Sequence, residues 1–401
     1  MKLTYTLISL SLALVASAQE PISLNQAIHF ARTQRPAFEA ARLRVVQAHH
    51  SRRALGAFPA TRLFVGYTSD PEVGGTDDDL VLAQPLDLFG RSAAARELGS
   101  AEIVRAEAGL RLVAVELQAE VVTAYVGAAT SAELARAAKS TFETIEKLFQ
   151  ATRLRVEEGV APGVQLTRVG IELEQARLRA EQRQAELEAN VQRLSALLGG
   201  ERSRFTVEGI PQIQAGPIDD QTLLRQRPEI LVLASDVRLA EAEARIAKLT
   251  TSPELELQAR RTPWQQSDQR YGLRLQISVP LMDFGKARAE SRAASTRAEA
   301  ARRSLDDAMK LAVGEVAAAK IEADSAELQI SKYEALVATS KQLVERLRPA
   351  LTEQATTLIE VIDALRSLRD VEAALVEARE RRALAQARLL RATGQVLEVT
   401  P

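Results

Sequence analysis

The chain contains the same pattern twice. Gln84-Pro85-Leu86-Asp87-Leu88-Phe89-Gly90-Arg91 returns 195 residues later as Val279-Pro280-Leu281-Met282-Asp283-Phe284-Gly285-Lys286. The same displacement carries Val121, Ala128, Ala135, Phe142, Phe149 and Val156 onto Val316, Ala323, Ile330, Val337, Val344 and Leu351. A fixed displacement means two copies of one structural unit, and the spacing of seven inside each copy marks a long coiled-coil helix. Each copy should hold an opening helix, a β-hairpin, one very long helix and a return helix. The expected boundaries are 1–18 for a leader, 19–200 for the first copy, 201–218 for a linker and 219–401 for the second copy.

The leader reads as a signal peptide, with Lys2 as its basic start, Leu7 to Val15 as its apolar stretch and Ala16-Ser17-Ala18 as a small-residue cleavage pattern. No Cys follows, so a lipidated N-terminus is not expected and disulfides are impossible. No later apolar run approaches the ~20 residues of a membrane helix, so a membrane crossing would have to use strands. Lys and Arg number 52 against 53 Asp and Glu, which gives no electrostatic reason to expect a nucleic-acid partner.

Ser23-Leu24-Asn25-Gln26 fits a capping box, so a helix should begin there, bend before Pro36 and run to about Gly56. Arg91 to Glu157 forms the first long helix, with Leu117, Ala124, Ser131, Ala138 and Ile145 as its second row of core positions. After a turn at Gly159 and Pro162, Leu166, Leu173, Ala180, Leu187 and Leu194 carry the return helix to a cap at Gly199-Gly200. In the second copy, Asp220 is the expected N-cap and Pro253 the end of the opening helix. The long helix there runs from Lys286 to about Thr352 with a kink at Pro349, and the return helix from about Thr357 to Gly394. Each long helix reaches ~100 Å and each shorter one about half that. Two short helices end to end therefore match one long one.

Tyr271, Leu273, Leu275, Ile277 and Val279 alternate with Gly272, Arg274, Gln276 and Ser278. Leu255, Leu257 and Ala259 alternate with Glu254, Glu256, Gln258 and Arg260, and Leu63, Val65 and Tyr67 do the same in copy one, although Phe64 breaks its polar face. That period belongs to strands with one apolar and one polar face. Asp79 to Leu88 is poorly patterned. A soluble sheet on a helical core would alternate too. The charge on the polar face and the strand lengths instead suit a water-filled barrel whose apolar face meets lipid. Trp264, Tyr271 and Tyr67 would sit at its interfaces. Four strands cannot close a barrel, but three chains would supply twelve.

These residues resemble the TolC-like outer-membrane factor family across the whole mature chain. The tandem copies, the Pro-Leu-x-x-Phe-Gly-Arg/Lys join, Arg35-Pro36 and Arg227-Pro228, and Ile359-Glu360-Val361-Ile362-Asp363-Ala364 carry the resemblance. Arg227-Pro228-Glu229-Ile230 and the short chain are most similar to its cation-efflux, CzcC-like branch. The resemblance implies a mainly helical homotrimer, with an α-barrel continuing a twelve-stranded transmembrane β-barrel. It implies an exit duct in the outer membrane of an efflux or export system, with a periplasmic adaptor, an inner-membrane pump of the RND type and outer-membrane lipid as partners. No nucleophile-base constellation or phosphate loop stands out, so no enzyme activity, cofactor or metal is expected.

The family closes its periplasmic end with carboxylate rings, and Glu360 and Asp363 match those positions. Crowded in threefold symmetry, they should bind protons more tightly and attract cations. The family docks its adaptor at the helical tips, here Glu158, Gly159, Val160, Ala161 and Pro162 in copy one, and Glu353, Gln354, Ala355 and Thr356 in copy two. Gln354 stands where family tips usually carry Gly. The docking reading requires Val160 and Ala355 to be exposed. The plainer explanations are a solvated helix face for the carboxylates and turn chemistry for Gly159 and Pro162. His49-His50 is read as a solvated pair, because adjacent helical positions diverge by about 100° and no third ligand is evident. The competing function is a soluble periplasmic coiled-coil scaffold or an adaptor protein without a membrane barrel.

Overall fold

The structure, a computed structural model, describes residues 21–70, 75–200, 205–214, 216, 226–261, 271–280, 282–353, 355–395 and 397. The signal peptide, Asp220, Trp264 and Gln354 lie outside the described residues. The order is β1 (Pro21–Ile22), α1 (Leu24–Gln34), α2 (Pro36–Leu55), β2 (Arg62–Asp70), β3 (Gly75–Leu86), α3 (Arg91–Glu157) and α4 (Gly163–Leu197). Then come β4 (Thr206–Val207), α5 (Pro228–Lys248), β5 (Glu254–Arg261), β6 (Tyr271–Ser278), α6 (Lys286–Thr352) and α7 (Leu358–Thr393).

The two long helices have 67 residues each and begin and end at equivalent positions of the repeat. Ser23 caps α1 through the expected box, accepting from the Gln26 N–H at 3.3 Å while its own N–H donates to Gln26 Oε1 at 3.0 Å. Arg35, extended at φ −79° and ψ 119°, separates α1 from α2, because the residue before a proline is steered out of the helical region. At Pro349 the helix continues to Thr352, and the Pro349 carbonyl accepts the Glu353 N–H at 3.0 Å.

Side by side, the helices form four staves. Stacked α2 and α4 pack on one flank of α3, stacked α5 and α7 pack on its other flank, and α6 packs on the outer side of α5 and α7. The Val121, Ala128 and Ala135 row is buried in the α3 seam, and Val316, Ala323, Ile330, Val337 and Val344 are buried in the α6 seam. Small side chains let these backbones approach closely. Contrary to the sequence expectation, α3 does hold an 18-residue window long and apolar enough, by length and composition, to cross a membrane. Half of that window is buried, where its Ala and Val residues serve a seam between helices. Against the middle of α3, β1 and β4 pair in parallel, and the buried Tyr125 hydroxyl donates to the Ile22 carbonyl at 2.8 Å.

The other strands make one antiparallel sheet in the order β2-β3-β5-β6, so the two hairpins lie edge to edge. Both outer strands, β2 and β6, have one unpaired edge within the described chain.

Candidate functional site

Register resolves the strand faces. Leu63 pairs with Leu82 and Val65 with Leu80; Leu82 pairs with Ala259 and Leu86 with Leu255; Leu257 pairs with Leu275 and Leu255 with Ile277. Directly opposed residues share a face, so one apolar face crosses all four strands. Tyr271, Leu273, Leu275 and Ile277 stand exposed on it, and Val279, also exposed, follows the end of β6. The weak pattern of Asp79 to Leu88 also finds its sense: Leu80, Leu82 and Leu86 join the apolar face and Asp79 the other one.

At the sheet's base the repeated Phe-Gly motif turns each chain segment from strand to long helix. Gly90 and Gly285 take φ of 81° and 85°, a left-handed conformation that glycine adopts without a Cβ clash. A carboxylate closes each turn, but from neighbouring positions of the motif. Asp87 accepts the Arg91 N–H at 3.0 Å and the Ser92 N–H at 2.6 Å, whereas Asp283 accepts those of Gly285 at 3.0 Å and Ala287 at 2.9 Å. Burial pushes Asp87 up, but the N–H groups of Ser92 and Arg91 outweigh it and hold the carboxyl below its usual range. The N–H groups of Ala287 and Gly285 lower Asp283 likewise. Arg91 locks the copies together, donating to Glu254 at 2.6 Å and to the Ser252 carbonyl at 2.7 Å.

At the opposite end lie the two tips. Gly159 has φ 72°, and the Val160 N–H donates to the Arg155 carbonyl at 2.8 Å. The equivalent bond joins Ala355 to Ala350 at 2.8 Å. Glu158, Val160, Pro162, Glu353 and Ala355 are exposed, Ala161 and Thr356 half-buried. The exposure that adaptor docking requires of Val160 and Ala355 is therefore met.

Glu360 and Asp363 are both exposed in the first turns of α7, but neither carboxylate is unoccupied. Glu360 closes a capping box with Thr357, accepting its N–H at 3.1 Å, and also accepts the Thr356 hydroxyl. Those two donors, Thr356 first, hold Glu360 below the ordinary carboxylate range. Within one chain the Glu360 shift is therefore downward, opposite in sign to the rise expected of crowded carboxylates. Asp363 pairs with Arg366 at 3.4 Å, and Arg366 reaches across to the buried Glu172 of α4. That bridge joins residues 194 apart in the chain, and no local pattern announces it. Beside it Ile145, Val169, Ala176, Leu358 and Ile362 form an apolar cluster that fastens the two tips together.

Higher up, α3, α4 and α7 line an open groove in which Glu120, Arg183, Asn190, Glu380 and Arg381 stand among Ala and Leu side chains. Burial, reinforced by Glu377, pushes the Glu380 carboxyl up. His49 and His50 are both exposed on α2, and among the described residues no group of His, Cys, Asp and Glu has the geometry of a metal site.

The family model described as outer membrane efflux protein matches residues 27–200 and 221–395, one match per copy. A probable efflux pump outer membrane protein of Pseudomonas putida, TtgC, is 26% identical over 186 residues, which is 45% of this chain and 38% of that protein. The chain thus spans well under half the length of that relative. The probable outer membrane lipoprotein SilC of Salmonella typhimurium is 21% identical over 305 residues, covering 73% of this chain and 66% of SilC. Among solved structures, the outer-membrane channel OprN superposes with a TM-score of 0.80 at 24% identity, covering 93% of this chain and 90% of OprN. The outer membrane protein VceC of Vibrio cholerae superposes at 0.77 and 19% identity, covering 94% and 97%. The fold is shared with both.

Proposed function

This chain belongs to the outer membrane efflux protein family, and from that premise we propose that it is one subunit of a homotrimeric exit duct in the bacterial outer membrane, without enzyme activity, that extends into the periplasm and passively conducts substrates outward. The observation that carries this reading is the pair of matched open edges. The staves run α2/α4, α3, α5/α7, α6, and the strands run β2, β3, β5, β6 in the same order. Each layer ends on an element whose outer side has no neighbour in the described chain, and strand and stave directions alternate so that another copy continues both layers antiparallel. Three copies supply twelve strands, enough for a barrel, where four are too few. The outward apolar face then meets lipid, and twelve staves at ~10 Å spacing enclose a water-filled bore.

Each subunit contributes two structural repeats, 19–200 and 219–401, joined by the linker and preceded by an export signal. The exposed tips at Glu158 to Pro162 and around Ala355 are the surface for a periplasmic adaptor, which connects the duct to an inner-membrane pump of the RND type. Asp363 and Glu360 stand at the mouth formed by the first turns of α7, with the Glu172–Arg366 bridge holding those turns against α4. Replacing Glu360 and Asp363 together with Ala should raise single-channel conductance and reduce cation preference in planar bilayers; unchanged conductance removes them from the gate.

Fractionation tests the duct itself. Recovery as a detergent-dependent trimer from the outer membrane supports it, while a monomer released by osmotic shock supports the soluble scaffold.

A further inference from the structure

The face of the sheet opposite the apolar one is layered by charge, and the layers are fixed by strand register. Nearest the helices lie Glu254 and, one layer outward, Glu256. The next layer contains Arg62 on β2 and Arg274 on β6, with Ala83 and Gln258 between them. The layer after that holds Arg260 between Val81 and Gly272, with Phe64 beside Val81. Successive layers are two residues, or ~7 Å, apart.

The acidic and basic groups differ in how they are satisfied. Glu254 is paired with Arg91 at 2.6 Å, and Glu256 accepts from Gln258 at 2.6 Å. No ion pair is formed by Arg62, Arg260 or Arg274 among the described residues. The Nε of Arg260 is buried without a hydrogen-bond acceptor. Its neighbours Val81 and Phe64 are apolar, and Gly272 leaves open space where a side chain would stand. A guanidinium with one N–H shut off from water, apolar flanks and room in front of it lacks an anion. The carboxylate nearest outward, Asp79, has a buried oxygen that is likewise without a partner and makes no ion pair with Arg260.

Resting on the duct reading, we propose that Arg62, Arg260 and Arg274 form an anion-binding belt inside the β-barrel, with multivalent oxyanions such as phosphates as its ligand class. Arg274 and Arg62 occupy the two outer strands of the sheet, so a closure that keeps these layers level brings Arg274 of one copy beside Arg62 of the next. The site is then completed at each subunit boundary, and three copies contribute nine guanidiniums in two adjacent layers. Rings of arginine in a pore favour anions, and planar guanidinium forks suit phosphate oxygens. The belt would oppose the carboxylates at the far mouth in sign and lie a tunnel's length from them.

The test uses the full-length trimer in planar bilayers with a potassium chloride gradient and inorganic pyrophosphate added on the side of the strand loops. Pyrophosphate should reduce the wild-type current, and the combined Arg62→Gln, Arg260→Gln and Arg274→Gln variant should need about tenfold more for the same reduction. The reversal potential of that variant should shift toward cation preference. Arg274→Gln alone, at an exposed strand position, covers the case in which the triple variant fails to assemble and should weaken the block about threefold. Conducting wild-type channels that pyrophosphate leaves unaffected, or that respond identically in Arg274→Gln, overturn the belt and leave the duct standing. A trimer that conducts nothing in any condition overturns the duct, and the belt with it.

Discussion

Val126 and Ile321 occupy the same place in the repeat, on long helices of equal length, yet Val126 is 0% exposed and Ile321 is 70% exposed. The difference lies in neighbours. α3 is flanked on both sides and its Val126 enters the core that includes Ile28, Tyr125 and Leu390, whereas α6 is flanked on one side only. Ile321 and Leu328 project from the side of α6 opposite its buried row, and Val164, Ile171 and Leu178 project from the corresponding side of α4 at intervals of seven. In the proposed trimer, these exposed apolar rows are where a neighbouring copy would pack. The comparison also separates two kinds of apolar residue: those buried within the chain and those left for a neighbouring copy in the proposed trimer.

The largest effect should separate these kinds. Val126→Asp places a carboxylate in a dry core and should cost about 4 kcal/mol or more, with loss of folded protein by circular dichroism and protease resistance. Ile321→Asp should leave helicity intact and abolish the trimer on sizing in detergent; equal damage from both would break the comparison. Next, Arg366→Ala strands the buried Glu172. Because Arg366 is itself half-exposed, a loss of about 1–2 kcal/mol is expected in denaturant unfolding of the subunit.

A smaller change should distinguish the tips. Thr357→Ala removes the α7 cap and should cost about 1 kcal/mol, while Pro162→Ala should be milder, since α4 begins without a side-chain cap. The smallest effect concerns the joints. Asp87 is depressed in the folded state, so its stabilisation is present above the unfolded carboxylate pKa and fades as pH falls through the folded value. Asp87→Asn should therefore lower stability at neutral pH and flatten its acid limb, measured by thermal unfolding between about pH 7 and pH 3.

How much of this was legible depended on range. The repeat, the long helices, the Ser23 box and the β6 alternation are local patterns, and all appear in the structure. Asp79 to Leu88 was opaque because its apolar residues make sense only when paired with both β2 and β5. The Arg91–Glu254 and Arg366–Glu172 bridges join residues 163 and 194 positions apart, where charge alone selects no partner in a chain so rich in Arg and Glu. At the mouth, spacing put Glu360 and Asp363 on one face, but Thr356 and Thr357 decided what the first carboxylate does. Gln354 lies beyond the described residues, so its replacement of glycine has no structural account.

The equal length of α3 and α6 works as a ruler. Both start at the same turn below the sheet and descend 67 residues, so their far ends come level. Lengthening one helix by a heptad would lift one tip out of plane and slide every bridge beside it by about 10 Å. Lengthening both by the same number of whole heptads, with matching additions to α4 and α7, would preserve the seams and deepen the proposed tunnel. Natural variation in reach should therefore come as matched insertions in both halves of the gene, each half gaining equal lengths in its long helix and its return helix.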